Sequence, residues 1–150
     1  MHRDSASIDR RLQELSRRCR DEGMKVTPQR VAIYRALLAS ADHPNPETLY
    51  RRVRPRMRSL SLATIYKVLE ALVAFGLARE VEVAGGTSRY DANLDRHHHL
   101  ICTRCKKVTD FYDVGLDAVA PSRRLAGFVA RTVSVQVFGL CPSCARKDRH

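Results

Sequence analysis

The chain has no apolar run of membrane-spanning length and no segment with the hydrophobic core of a signal peptide. A soluble, cytoplasmic protein with no membrane partner is therefore expected. No internal repeat and no low-complexity segment interrupts the 150 residues, a length that allows one or two small domains. No His-x-Glu occurs anywhere, so the zinc deaminase signature is missing. No βαβ unit stands beside either Cys-x-x-Cys pair, as a thioredoxin-like redox motif requires. Acidic residues are the minority: 16 Asp and Glu against 27 Lys and Arg leave a formal charge of +11. Such a surplus points to a polyanionic partner, most simply nucleic acid.

Against these absences stand two cysteine pairs, Cys102–Cys105 and Cys141–Cys144. In a reducing compartment this spacing means metal or redox chemistry rather than a disulfide framework. Two turns that each present two thiolates can complete one closed, tetrahedral, structural site for Zn²⁺, and rubredoxin-type iron is the other ion that takes four thiolates. Four thiolates leave no position for water, which argues against a zinc hydrolase. Cys19 falls on the apolar face of a helix and reads as a packed core thiol. Just before the first pair runs His97-His98-His99. In a strand His97 and His99 point one way and His98 the other. Two imidazoles on one face, with Asp91 and Asp110 flanking in sequence and His43 in an earlier loop, suit Fe²⁺, Mn²⁺ or Zn²⁺ at a second site.

The first ~90 residues read as mostly helical. Ile8, Leu12, Leu15 and Cys19 recur at helical period, and Gly23 ends that helix. Thr27-Pro28 and Asn45-Pro46 each offer an N-cap followed by proline at the first helical position. Val31, Tyr34, Leu37, Leu38 and Ala41 give the buried face of the second helix, and Leu49 and Val53 that of the third, which Pro55 closes. Ser61 caps a fourth, with Leu62, Ile65, Leu69, Leu72 and Val73 inward and Ala63, Tyr66, Lys67 and Glu70 outward. Arg79–Val83 and Thr87–Asp91 around Gly85-Gly86 read as a β-hairpin. Three helices followed by a hairpin form a winged helix-turn-helix pattern, here with an extra leading helix. Beyond a short hinge at Ala92–Arg96, strands His99–Cys102 and Lys107–Tyr112 bracket the first cysteine pair. A helix over Leu116–Ala126, a long strand through Val129, Val133, Val135 and Val137, and a short basic helix from Pro142 complete the chain.

The outward face of the fourth helix has the character of a groove-reading surface. Tyr66 offers apolar contact to a thymine methyl, and Lys67 a cation for phosphate or guanine. Arg30, Arg51, Arg52, Arg54, Arg56 and Arg58 add charge nearby, which neutralises a nucleic-acid backbone or simply solvates a surface. Capped helices and a hairpin favour duplex DNA over RNA.

Together these stretches resemble the ferric uptake regulator (Fur) family of bacterial metal-dependent repressors. They are Val26-Thr27-Pro28-Gln29-Arg30, His43-Pro44, Ser61 through Leu69, Arg89-Tyr90-Asp91, His97 through Cys105 and Cys141-Pro142-Ser143-Cys144, spread over about residues 10–146. The resemblance implies an α+β protein: an N-terminal winged helix-turn-helix DNA-binding domain over residues 1–91, a hinge over 92–96, and a small α/β dimerisation and metal-binding domain over 97–150. It implies a homodimer on palindromic double-stranded operator DNA, contacted through Arg30, Ser61, Ala63, Thr64, Tyr66 and Lys67. Structural zinc, one per chain, maps onto Cys102, Cys105, Cys141 and Cys144; a regulatory Fe²⁺ or Mn²⁺, one per chain, maps onto His43, Asp91, His97, His99 and Asp110. Iron regulators of the family often carry Glu at the positions of Asp91 and Asp110, whereas the peroxide-sensing branch has Asp at both. The zinc-uptake branch commonly uses a cysteine in its sensor, and Cys19 is the only one outside the quartet. A further family site uses a histidine on the late strand, and no histidine lies between His99 and His150. The resemblance thus implies a non-enzymatic, peroxide-responsive repressor, with an iron-responsive uptake repressor as the alternative.

Overall fold

Side-chain oxygens start the first four α-helices. In the computed structural model, which describes residues 4–119, 127–129 and 133–148, the Asp4 carboxylate accepts from the Ser7 amide at 2.7 Å and opens α1 (Ser5–Asp21). Thr27 Oγ1 accepts from the Arg30 amide at 3.2 Å to open α2 (Pro28–Ala39). Asn45 Oδ1 does the same for Thr48 at 2.9 Å in α3 (Pro46–Val53), and Ser61 Oγ for Thr64 at 3.1 Å in α4 (Leu62–Ala74). Each cap satisfies an amide that the first helical turn would otherwise leave without a partner. A 3₁₀ turn, Arg54–Arg56, carries the chain past the end of α3.

The chain divides into two compact units, Met1–Leu94 and Asp95–His150. In the first, Leu12, Leu15 and Cys19 of α1 share one core with Ile33, Tyr34, Leu37 and Leu38 of α2, Leu49 and Val53 of α3, and Ile65, Val68, Leu69 and Leu72 of α4. Cys19 is fully enclosed there, a packed thiol. The buried face of α4 is set by Ile65, Val68, Leu69 and Leu72, so Val73, expected inside, stands on the exposed flank. Ala41, expected on the buried face of α2, lies beyond that helix's end and is exposed, while Val31 is half-buried. Leu69 has no exposed surface. Leu69→Ala is expected to lower unfolding free energy by about 2–5 kcal/mol, a large share of the ~5–15 kcal/mol that holds a domain together. Urea unfolding followed by circular dichroism measures it.

β1 (Arg79–Val81) and β2 (Arg89–Asp91) pair antiparallel, with Arg79 opposite Asp91. The wing is shorter than the sequence suggests. The Gly86 amide donates to the Val83 carbonyl at 2.9 Å, closing a tight turn with Gly85 at φ 68°, so pairing stops before Val83.

In the second unit β3 (His98–Cys102) is central, with β4 (Val108–Phe111) antiparallel on one side and β5 (Gln136–Gly139) parallel on the other. A short helix, α5 (Val114–Asp117), begins where Asp113 accepts from the Gly115 and Leu116 amides. It starts earlier than the helix expected over Leu116–Ala126, of which residues 120–126 lie outside the described residues. The long late strand is regular only from Gln136; residues 133–135 are not strand, and 130–132 lie outside the described residues. α6 (Pro142–Asp148) is the short terminal helix.

Candidate metal centres and nucleic-acid face

β3 delivers Cys102 to a tight knuckle. The Lys106 amide donates back to the Cys102 carbonyl at 3.0 Å, and Lys106 takes a positive φ of 60° to make the turn that presents Cys105. The other pair straddles the start of α6, and the Cys141 amide points at Cys102 Sγ from 3.4 Å. All four Sγ atoms lie within 4.8 Å of one another. Thiolates about 2.3 Å from a tetrahedral ion stand about 3.8 Å apart along an edge, and Cys105 Sγ to Cys141 Sγ is 3.7 Å. The donor set therefore fits a tetrahedral four-thiolate ion. Local electrostatics divide the thiols. Backbone amides, first that of Cys141 and then that of Cys105, bring the Cys102 thiol down to about 6. The Cys144 amide lowers Cys141, while burial pushes Cys144 up to about 12.

A second donor set lies on one face of the same sheet. His97 Nε2 is 3.0 Å from His99 Nε2, and Asp110 Oδ1 is 3.4 Å from the first and 3.6 Å from the second. Register explains the meeting: His99 stands directly opposite Asp110 across the β3–β4 pair. Ligands about 2.1 Å from one ion are separated by about 3.0 Å at right angles and about 3.4 Å at tetrahedral angles, so these spacings fit a shared divalent cation. His97 Nδ1 is 2.7 Å from the Asp95 carbonyl oxygen. A proton on Nδ1 completes that bond and leaves Nε2 as the donor to metal.

His43 and Asp91 form a complementary pair in the first unit. His43 Nε2 is 3.3 Å from Asp91 Oδ2, and both side chains are buried. His43 sits at φ 47°, a left-handed conformation unusual for a residue with a side chain. The Tyr90 amide donates to the Pro44 carbonyl at 3.0 Å, and Arg89 to the His43 carbonyl at 3.4 Å. These bonds hold β2 against the loop, so that Asp91 reaches the imidazole. The Asn93 amide donates to Asp91 Oδ1 at 2.7 Å, which turns Oδ2 toward His43.

On α4, Ala63, Tyr66, Lys67 and Glu70 form one exposed stripe. Ser61 and Thr64 are committed to the cap, their hydroxyl oxygens 2.8 Å apart. Tyr66 donates its phenolic proton to Glu47 Oε1 at 3.0 Å. Arg30 is half-buried, with its guanidinium on the Lys25 carbonyl. The arginine run is divided in two. Arg52 is held by Asp42 at 2.6 and 3.0 Å, and by Ser40. Arg51, Arg54 and Arg58 instead line a cleft of about 450 Å³ with Tyr50 and Pro55, and no carboxylate lines it.

Residues 21–138 match the model of the ferric uptake regulator family. The chain belongs to that family. It is a regulator of the Fur type and not an enzyme. The peroxide-responsive repressor PerR of Staphylococcus epidermidis is 33% identical over 145 residues, covering 96% of this chain and 97% of the relative. The solved peroxide stress regulator of Campylobacter jejuni has a TM-score of 0.64 at 28% identity, covering 89% of this chain and 98% of that one. The Helicobacter pylori ferric uptake regulator has a TM-score of 0.78 at 21% identity, covering 92% and 93%, and attests the shared fold.

Several residues of this Fur-family chain gained their surroundings only in three dimensions. His98 is fully buried, with Nε2 3.1 Å from Asp117 Oδ1; Arg96 approaches the same oxygen at 3.3 Å. The Val135 amide donates to His98 Nδ1 at 3.4 Å. Asn93 and Glu47 likewise carried no motif. A polar residue two places from Asp91 was the only available signal for Asn93.

Proposed function

We propose that this Fur-family chain is a metal-dependent, DNA-binding transcriptional repressor of the cytoplasm, working as a homodimer on a palindromic operator and sensing peroxide. The observation that carries this is the cluster of buried His97 and His99 with half-buried Asp110, matched by the buried His43–Asp91 pair. Both carboxylates are aspartates, and several relatives across most of the chain are named peroxide-responsive repressors. Among the described residues no helix is long and apolar enough to cross a membrane.

Cys102, Cys105, Cys141 and Cys144 hold Zn²⁺ in this proposal, one ion per chain, as a structural clamp. His43, Asp91, His97, His99 and Asp110 together hold one regulatory Fe²⁺ or Mn²⁺. Ligands drawn from both units make ion binding and the placement of the α4 helices one linked equilibrium. The Asp95 carbonyl and the Asn93 amide orient two of these ligands, so less order has to be gained on binding. Reduced iron in such a site supplies one-electron chemistry toward peroxide. The imidazoles are the oxidisable groups at hand, and a modified imidazole no longer binds. Ser61, Ala63, Thr64, Tyr66 and Lys67 meet the major groove, and Arg30 the backbone.

The deciding experiment is operator binding by purified protein loaded with Fe²⁺ or Mn²⁺, before and after peroxide. A Fe²⁺ form that survives peroxide assigns the chain to iron-responsive repression instead. The arginine cleft adds a second measurement. Changing Arg51, Arg54 and Arg58 together to Ser is expected to weaken binding on all sequences. It should also reduce the log–log salt slope by roughly 2–3, near 0.9 for each phosphate no longer neutralised. Arg52→Ser, which breaks the Asp42 pair, should leave the slope within about 0.5 of wild type.

A further inference from the structure

The exposed phenol on α4 is not free to turn. Tyr66 keeps 43% of its surface exposed, yet its hydroxyl donates to Glu47 Oε1 at 3.0 Å, across from α4 to the first turn of α3. A helix N-terminus favours a carboxylate, and an ionised carboxylate only accepts hydrogen bonds. A phenol has one proton, and here Glu47 takes it. The same bond raises the Tyr66 pKa above that of an ordinary phenol. What remains toward solvent is the lone-pair side of the oxygen.

We propose that Glu47 is a positioning residue for base selection: by holding the Tyr66 proton, it makes Tyr66 an acceptor-only reader that selects a base bearing an exocyclic amine. In the major groove the amines are adenine N6 and cytosine N4, whereas guanine O6 and N7 and thymine O4 are acceptors. An acceptor facing an acceptor forms no bond and leaves both desolvated. Tyr66 therefore reads hydrogen-bond polarity at one operator position, while its ring remains available to a neighbouring thymine methyl. This inference rests on the DNA-binding proposal and adds to it the chemistry of one contact.

The test is selection from random duplexes by the full-length, Mn²⁺-loaded protein, followed by affinity measurements on single-base variants of the enriched site. Wild type is expected to show one position per half-site where A or C is preferred over G or T by about tenfold. Tyr66→Phe should lose that preference and keep the preferences at other positions. Glu47→Ala frees the proton to donate, so the position should admit G or T within about twofold of A or C. Should Glu47→Ala fold poorly, Glu47→Leu serves, because its side chain fills similar space and accepts no hydrogen bond, so the same loss of preference is expected. A Tyr66→Phe protein with the wild-type preference at every position overturns the proposal. So does a Glu47→Ala protein that loses affinity with its preferences unchanged. A wild-type protein that enriches no sequence overturns the DNA-binding proposal itself.

Discussion

Peroxide is expected to abolish operator binding by the Fe²⁺-loaded protein and to leave the Mn²⁺-loaded protein bound. The proposed ligands are imidazole nitrogens and carboxylate oxygens, a set that takes either ion. Only the iron form has a readily accessible one-electron step with peroxide at that site. The expected lesion is a single oxygen atom added to a histidine, His43 or His97, with Cys102, Cys105, Cys141 and Cys144 still reduced. Both imidazoles are almost completely buried, so an oxidant formed beside them meets them before it meets solvent. Losing one ligand of the linked equilibrium should lower operator affinity by at least tenfold, within the roughly 5–150-fold range for coupled sites. Gel-shift titration with mass spectrometry of the treated protein checks both halves. Early oxidation of the cysteine quartet with zinc release would instead make the chain a thiol switch. Asp110→Glu, which lengthens the carboxylate opposite His99, should make the Fe²⁺ form more resistant to peroxide.

The second large effect is expected at the quartet. Cys102→Ser or Cys144→Ser should abolish both bound zinc and the stable dimer. A closed thiolate site contributes on the order of 10–16 kcal/mol in small zinc domains, comparable to or larger than the whole ~5–15 kcal/mol stability of a domain. In the proposed role, the second unit depends on that contribution. Its described strands have five, four and four residues, and β5 is exposed along its length. Two of the thiols are partly pre-set for metal: backbone amides favour the thiolates of Cys102 and Cys141. Metal analysis after mild chelation, together with sedimentation, tests the claim. A folded dimer that lacks zinc and binds DNA fully would refute it.

Local rules carry the first unit. Asp4, Thr27, Asn45 and Ser61 cap their helices through contacts three residues away, so the caps at Thr27, Asn45 and Ser61 could be read from short windows. Periodicity placed Ile65, Leu69 and Leu72 but confused Val68 with Val73, because both border the apolar stripe and only the packing of α4 on its neighbours decides between them. The cysteine pairs announced themselves by spacing, and the alternation of His97 and His99 followed from strand geometry. The partners of Tyr66 and His98 could not be read that way. Glu47 and Asp117 are each 19 residues distant in the chain, and their meeting depends on where α3 and α5 pack. The division of the arginine run was hidden for the same reason: Asp42 reaches Arg52 of α3 from the loop that precedes that helix.

The run of three histidines poses an alignment problem that its own composition cannot solve. Sliding β3 by one residue against β4 would exchange its faces, and a histidine would still point toward Asp110. It would be His98 alone, flanked by Arg96 and Leu100, and the pair of imidazoles would be lost. Asp117 and the Val135 amide hold His98 from the opposite side, where neither neighbouring histidine can substitute without turning the strand over. The buried histidine outside the candidate cluster thus acts as a registration pin, telling three identical side chains apart.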